Sequence, residues 1–355
     1  MWAMIVKEFR QLRRDRGTLA MMIVLPLLLL VVFGYAAKFE VDEIPTVVVG
    51  DRAPDLAESL PAPFTIDDVD TSGDRADAER SLRDGDAPVA VVSDDDRASL
   101  LLDGSELFTA NAARTALASI NDGALGTAPV DVEVLFNEDL ATAPVMVPGL
   151  AGLILLFIGT VVTSLGVVRE RQAGTLEQLA VMPFRPRDVF LGKVAPYFLV
   201  AAVDLVIVVV AGMVLFDVPF RGSILVFSAG AVLFLFLTLG LGVLISSVSE
   251  SQGQAIQLAI MTLLPQVMLS GLIFPIDSMA AALQWFARVL PLTHFVQISR
   301  GVMLRDAPIG ALWQPFAYLA GLGIIVMTLA TLRFRRDLAP SPRRGADEPQ
   351  RAGAA

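Results

Sequence analysis

Long apolar runs alternate with short charged stretches along most of the chain. Six runs, residues 17–37, 140–168, 191–216, 222–249, 251–276 and 307–332, are mostly apolar over roughly 20 residues or more, the length a helix needs to cross the hydrocarbon core. Only Glu250 separates the fourth from the fifth, so their connection must be tight. Lys193 stands at the mouth of the third, and Asp204 lies inside it. Between the first two runs the pattern changes. "IPTVVVG" and "APVAVVS" have the unbroken apolar character of buried strands, and "VDVEVLF" alternates like a half-buried one. Helical stretches fall near residues 74–83 and 106–121. Ahead of the first run, Trp2, Ile5, Phe9 and Leu12 recur at helical spacing, as in an amphipathic helix on a membrane surface. The expected fold class is therefore a polytopic α-helical membrane protein with six transmembrane helices and a mixed α/β extracytoplasmic domain between the first and second.

Composition agrees with lipid as solvent. Of 355 residues 55% are hydrophobic and only 18% charged, and mean hydropathy is +0.65. The net charge of -10 is unevenly spread: residues 38–145 hold about 24 carboxylates against about 7 basic groups, so the remainder is positive. Basic residues resist translocation. Lys7, Arg10, Arg13, Arg14 and Arg16 precede the first run; Arg169, Arg171, Arg185, Arg187 and Lys193 follow the second; Arg333, Arg335 and Arg336 follow the sixth. All three groups fall on one side, which places both termini in the cytoplasm and the acidic insert outside. Arg288, Arg300 and Arg305 are discordant, since they fall in the last outer connection, where polar and apolar positions suggest interfacial or re-entrant helices at 277–306. The first run is longer than a signal-peptide core and contains Pro26, so it is expected to remain as a span. The expected organisation is a surface helix (1–16), the first span (17–37), the α/β domain (38–139), five further spans (140–336) and a disordered cytoplasmic tail (337–355). With no cysteine there is neither a disulfide framework nor a thiolate metal site.

Between the second and third spans lies "VVRERQAGTLEQLAVMPFRP". Thr175 and Gln178 form a capping-box pattern, Leu176, Leu179 and Ala180 share a face, Gly174 is a hinge and Pro183 a stop. A short charged helix is thus expected to project at 169–187, either as a connector or as a surface for a protein of complementary charge. No phosphate-binding loop is present: Gly192-Lys193 is followed by Val194, and Arg187 stands where the first glycine belongs. "DVDTSGDRADAE" fits a calcium-loop template, but "LPAPFTID" before it cannot supply the entering helix, so a solvated turn is expected instead. Asp204, the one acid deep in a span, is a candidate for a translocation path or proton-linked step, or an acid shielded by neighbouring helices. His294, the sole histidine, lacks companions for a metal site and is expected to pack. No catalytic constellation and no metal site are expected.

"RERQAGTLEQL" from Arg169, Pro183, "LGKVAPY", "LFNEDLATAPVMVPGL", "LSGLIFPIDSM" and "LPLTHFVQISRGVMLR" together resemble ABC type-2 transporter permeases, the membrane subunits of ATP-binding-cassette exporters. With "KEFRQLRRDRGTLAMMIVLPLLL" the likeness covers nearly the whole chain apart from the insert and tail. The resemblance implies six spans per subunit and a homodimer or heterodimer of permease subunits served by two separate ABC ATPase subunits, which bind ATP and Mg; this chain itself would hold no cofactor and no nucleic acid. It implies that Arg169, Glu170, Arg171, Gly174, Thr175 and Glu177 form the ATPase-coupling element, although Gln172 and Met182 depart from common family residues. The large insert is similar to the multidrug-type branch, implying export of a hydrophobic or amphipathic compound across a prokaryotic plasma membrane. Two other readings are a membrane sensor whose outer domain binds a ligand, and an ion-gradient transporter working through Asp204.

Overall fold

The computed structural model describes residues 41–337 except 42, 95–96, 121–129 and 174–185. The expected surface helix, first span and tail lie outside the described residues, as does the capping box at Thr175.

Residues 44–135 build a five-stranded sheet. The strands are β1 (Ile44–Val49), β2 (Phe64–Asp70), β3 (Val89–Asp94), β4 (Arg97–Asp103) and β5 (Val130–Leu135), in the order β2-β1-β3-β4-β5. All pairings are parallel except the β3–β4 hairpin. Three helices complete the unit: α1 (Ala53–Ser59), α2 (Arg75–Asp84) and α3 (Leu107–Ile120). Ile44, Val48, Val89, Val91, Leu100 and Leu102 face α1 and α3, whereas Val47, Val49, Ala90, Val92 and Leu101 face Ala78 and Leu82 of α2. A sheet covered on both faces needs apolar residues at successive positions, which is why β1 and β3 read as unbroken runs. The carboxylates of the calcium-loop pattern are spread over three settings. Asp70 ends β2 and accepts from Ser72, Asp74 caps α2 in a reciprocal box with Asp77, and Glu79 pairs with Arg75 at 2.8 Å.

The second unit is helical. The second span is a helix of 31 residues, Thr142–Gln172, divided into α4 (Thr142–Phe157), one π-helical turn (Ile158–Val162) and α5 (Thr163–Gln172). Then come α6 (Pro186–Leu215), α7 (Ile224–Val248), α8 (Gln252–Leu269), α9 (Ala281–Val289), α10 (Pro291–Met303) and α11 (Trp313–Asp337). Among the described residues, four helices are long and apolar enough to span: Thr142–Gln172, Ala195–Leu215, Ile224–Val248 and Trp313–Arg333. The run at 251–276 differs from expectation. It yields an 18-residue helix that ends at Leu269, after which Gly271 takes φ +79° and the chain turns. Eighteen residues rise only about 27 Å, and Gln252, Gln254, Gln257 and Gln266 dilute the apolar character.

Residues 277–306 form two helices of different character. α9 fits an interface, with Trp285 71% exposed. α10 is enclosed: every position except Gln297 is buried. Its Phe295 stacks on Phe234 of α7 with ring centroids 4.7 Å apart, and a Cβ on Gly152 of α4 would lie 2.6 Å from the Phe295 ring. α10 carries a polar stripe, and enclosure is tolerated because Thr293, His294 and Arg300 each donate to a backbone carbonyl, of Ala287, Arg288 and Val145. His294 packs as expected, stacked on Tyr318 with centroids 4.2 Å apart and donating from Nε2 to the Arg288 carbonyl at 2.8 Å.

Candidate functional site

At the α5 end of the second span, three of the proposed coupling residues are visible. Arg169 is exposed, while Glu170 and Arg171 are half-buried. Arg171 Nη1 donates to the carbonyls of Ser246 at 3.0 Å and Ser249 at 3.1 Å. These carbonyls belong to the last turn and cap of α7, where the helix supplies only the long Ser249 N–H bond to Ser246 at 3.4 Å and its dipole favours a cation. Gln172 Oε1 also accepts from Gln252 Nε2 at 2.9 Å, across to α8. The end of α5 is thereby tied to the three-residue connection between α7 and α8.

That connection is itself ordered by local bonds. Ser251 caps α8 by accepting from Gln254 N at 3.2 Å, and the Gln254 side chain accepts from Glu250 N at 2.7 Å. The Ser-x-x-Gln spacing of this cap was available in the sequence; the Arg171 contact was not, because it joins residues 75 and 78 positions apart. Gly174, Thr175 and Glu177 lie outside the described residues, so the structure brings together Arg169, Glu170 and Arg171 alone.

Above α5 the span crosses α7 at very close range. The carbonyl of Gly159 and the side chain of Thr238 leave no room for a Cβ at Gly242 and Gly159 respectively. Thr160 Oγ1 donates to the Leu156 carbonyl at 2.6 Å and Thr163 Oγ1 to that of Ile158 at 3.2 Å, so hydroxyls take up backbone acceptors in and beside the π turn. Asp204 is half-buried on α6, and among the described residues its carboxylate has no hydrogen bond or ion pair. α6 is the least enclosed of the spans, only 17% buried over its apolar window, with Val200, Val203 and Ile207 more than half exposed or close to it. The structure does not bring Asp204 to the α5 terminus.

Long apolar helices joined to an α/β unit are those of a polytopic membrane protein. A profile described as ABC-2 family transporter protein matches residues 16–332. The chain belongs to that family. It is 28% identical over 364 residues to the "Probable multidrug ABC transporter permease YbhS" of Escherichia coli K12, covering 95% of this chain and 97% of the relative. The "Probable multidrug ABC transporter permease YbhR" of the same strain is also 28% identical, over 95% of this chain and 98% of the relative. The "Inner membrane transport permease YhhJ" from that strain is 32% identical over 218 residues, 59% of this chain and 56% of the relative.

Proposed function

We propose that this chain is the permease subunit of an ATP-driven exporter that moves a hydrophobic or amphipathic compound out of the cytoplasm or inner leaflet. A separate ABC ATPase, holding ATP and Mg, docks at the α5 end and the segment that follows it, and two permease subunits, alike or paralogous, frame the path. Both termini and the α5 end face the cytoplasm, and the α/β domain lies outside. Closure of the ATPase presses on Arg169, Glu170 and the following Gly174, Thr175 and Glu177, and Asp204 contributes to the path.

The observation that carries this reading is the Arg171 clamp. A mere connector needs no bracing, whereas a docking surface must pass a push to the bundle without bending at its own root. Because Arg171 and Gln172 hold α5 to α7 and α8, load applied at residues 169–187 is shared by three helices at once.

The test is reconstitution. Purified chain with the ATPase that co-isolates with it from native membranes should transport a fluorescent amphipathic dye when MgATP is supplied on the α5 side, and replacing Glu170 and Glu177 together should abolish transport. Uphill movement of dye by the chain alone would overturn the proposal.

A further inference from the structure

Two arginines at the end of α10 join the α/β domain to the helices. Arg300 and Arg305 are 6% and 9% exposed. Arg305 Nη1 donates to Asp103 Oδ2 at 3.2 Å, linking positions 202 residues apart. Asp103 ends β4 and is almost fully enclosed; its other oxygen accepts from Ser105 N at 2.8 Å. The guanidinium lies over Gly85, the left-handed C-cap of α2, where an added Cβ would stand 3.0 Å from Nη1. Glycine is required there both for its φ of +83° and for the space.

Arg300 reaches three other segments. Its Nε donates to the Val145 carbonyl in the first turn of α4 at 3.2 Å, and its Nη2 to the Leu272 carbonyl beyond α8 at 3.5 Å. Its Nη1 lies 4.0 Å from the Glu106 carboxylate, just before α3. Two of the three basic residues that run against the charge rule thus have their partners inside the fold: a buried carboxylate for Arg305, and two carbonyls with a carboxylate at 4.0 Å for Arg300.

Burying ion pairs is a poor way to gain adhesion, because desolvation offsets most of the attraction and apolar replacements are often as stable. What such pairs can provide is direction, since the planar guanidinium fork bonds its partners along fixed directions. The arrangement also lies on a continuous route. α4, held by Arg300 at Val145, is the opposite end of the same 31-residue span that finishes at Arg169–Arg171.

We propose that Arg300 and Arg305 are positioning residues that fasten the α/β domain to α10 and α4, so that domain and bundle move as one body when the α5 end is displaced. The proposal rests on the exporter reading only for the source of that displacement.

The chain has no cysteine, so paired labels can be placed cleanly at two exposed positions, Glu58→Cys on α1 and Trp313→Cys at the start of α11. Spin-label distances are measured on the full chain in nanodiscs, with and without its ATPase and MgATP. The expected result is one narrow distance distribution that MgATP leaves in place. Arg305→Gln and Arg300→Gln should broaden it, Arg305→Lys should restore most of the sharpness, and export per ATP hydrolysed should fall about 5-fold or more in the glutamine variants. A distribution that stays narrow in both glutamine variants overturns the proposal, as does a wild-type distance that shifts with MgATP. The measurement with both arginines intact requires only that the doubly labelled chain fold, which its MgATP-driven export checks. A fixed distance without ATP-driven export would defeat the exporter reading and leave the joint standing; export accompanied by a shifting distance would do the reverse.

Discussion

Arg171 and Ser249 stand 78 positions apart, yet Arg171 Nη1 donates to the Ser249 carbonyl at 3.1 Å and makes one structural unit of the ends of α5 and α7. The same nitrogen serves Ser246 at 3.0 Å. Hydrogen bonds to charged groups contribute about 1.5–3 kcal/mol each when enclosed, and partial exposure reduces this. Arg171→Gln is therefore expected to cost about 1–2 kcal/mol in all, seen as a lower Tm in detergent, together with weaker ATP-driven export. Arg171→Lys, a point charge without the planar fork, should fall between the two. An unchanged Tm in Arg171→Gln would show that α7 holds its last turn without help.

The crossing of the second span over α7 should tolerate no added volume. A Cβ at Gly242 would meet the backbone oxygen of Gly159 and come within 2.9 Å of Thr163 Cβ. Backbone cannot step aside as a side chain can, so Gly242→Ala should force the helices apart and destabilise by about 1–3 kcal/mol. Gly321 on α11 is the control: among the described residues nothing lies within 4 Å of its Cβ position. There alanine should be neutral or stabilising by up to about 1 kcal/mol, from helix propensity alone. Thermal unfolding of both variants checks the contrast, and equal Tm values would contradict the close crossing.

What could be read from the sequence was what depends on local periodicity. The runs at Ile44–Val49 and Val89–Asp94 are unbroken because both faces of the sheet are covered, and Val130–Leu135 alternates because Asp131 and Glu133 stay exposed while Val134 packs on the core. The opposite edge, β2, was missed. Its sequence FTIDDVD is polar and largely exposed, so nothing in its pattern separates it from a loop. The enclosure of α10 is not legible for the converse reason: Arg300 and Arg305 suggest a wet face until their partners are seen, and Val145 and Asp103 are 155 and 202 positions away. Of the candidate site, the charged residues at the end of α5 were legible; the carbonyls that hold Arg171 were not, because backbone acceptors carry no sequence signature.

Acid should weaken the α/β domain through the cap of α2. The Asp77 carboxyl is held below its ordinary value, first by the Asp74 backbone N–H and then by Arg80. A depressed carboxyl contributes stability that is present above its unfolded pKa of 3.8 and is lost as pH falls through the lower folded value. Wild-type chain should thus lose domain stability in that acid window, and Asp77→Asn, which cannot ionise, should show a flatter profile. Tm measured from about pH 5 down to about pH 2 reads the difference, and parallel profiles would remove Asp77 from the account.

Asp204→Asn tests the path. It retains shape but removes a charge whose burial in a span costs about 2.5–3.5 kcal/mol on insertion scales. If the carboxylate meets substrate on the way out, export of a cationic amphipathic dye should drop about tenfold while the complex with the ATPase still forms. Undiminished export at equal protein level would assign Asp204 to packing.

The Asp103–Arg305 pair predicts that stability and function come apart. Arg305→Met leaves the Asp103 carboxylate enclosed at 1% side-chain exposure without its cation, and Asp103→Leu strands a guanidinium at 10%. Either single change should cost about 3–5 kcal/mol, because an unpaired buried charge retains its desolvation penalty with nothing to oppose it. The double variant removes both charges, and apolar side chains of similar volume can pack against each other, so most of that loss should return. Export should not return with it. A Leu–Met contact adheres from many directions, whereas the guanidinium over Gly85 fixes one. Thermal unfolding of the two single variants and the double gives the coupling energy, and dye export from the same preparations gives the function. A double variant as stable as wild type and equally active would show that the ion pair does no more than hold the domain on.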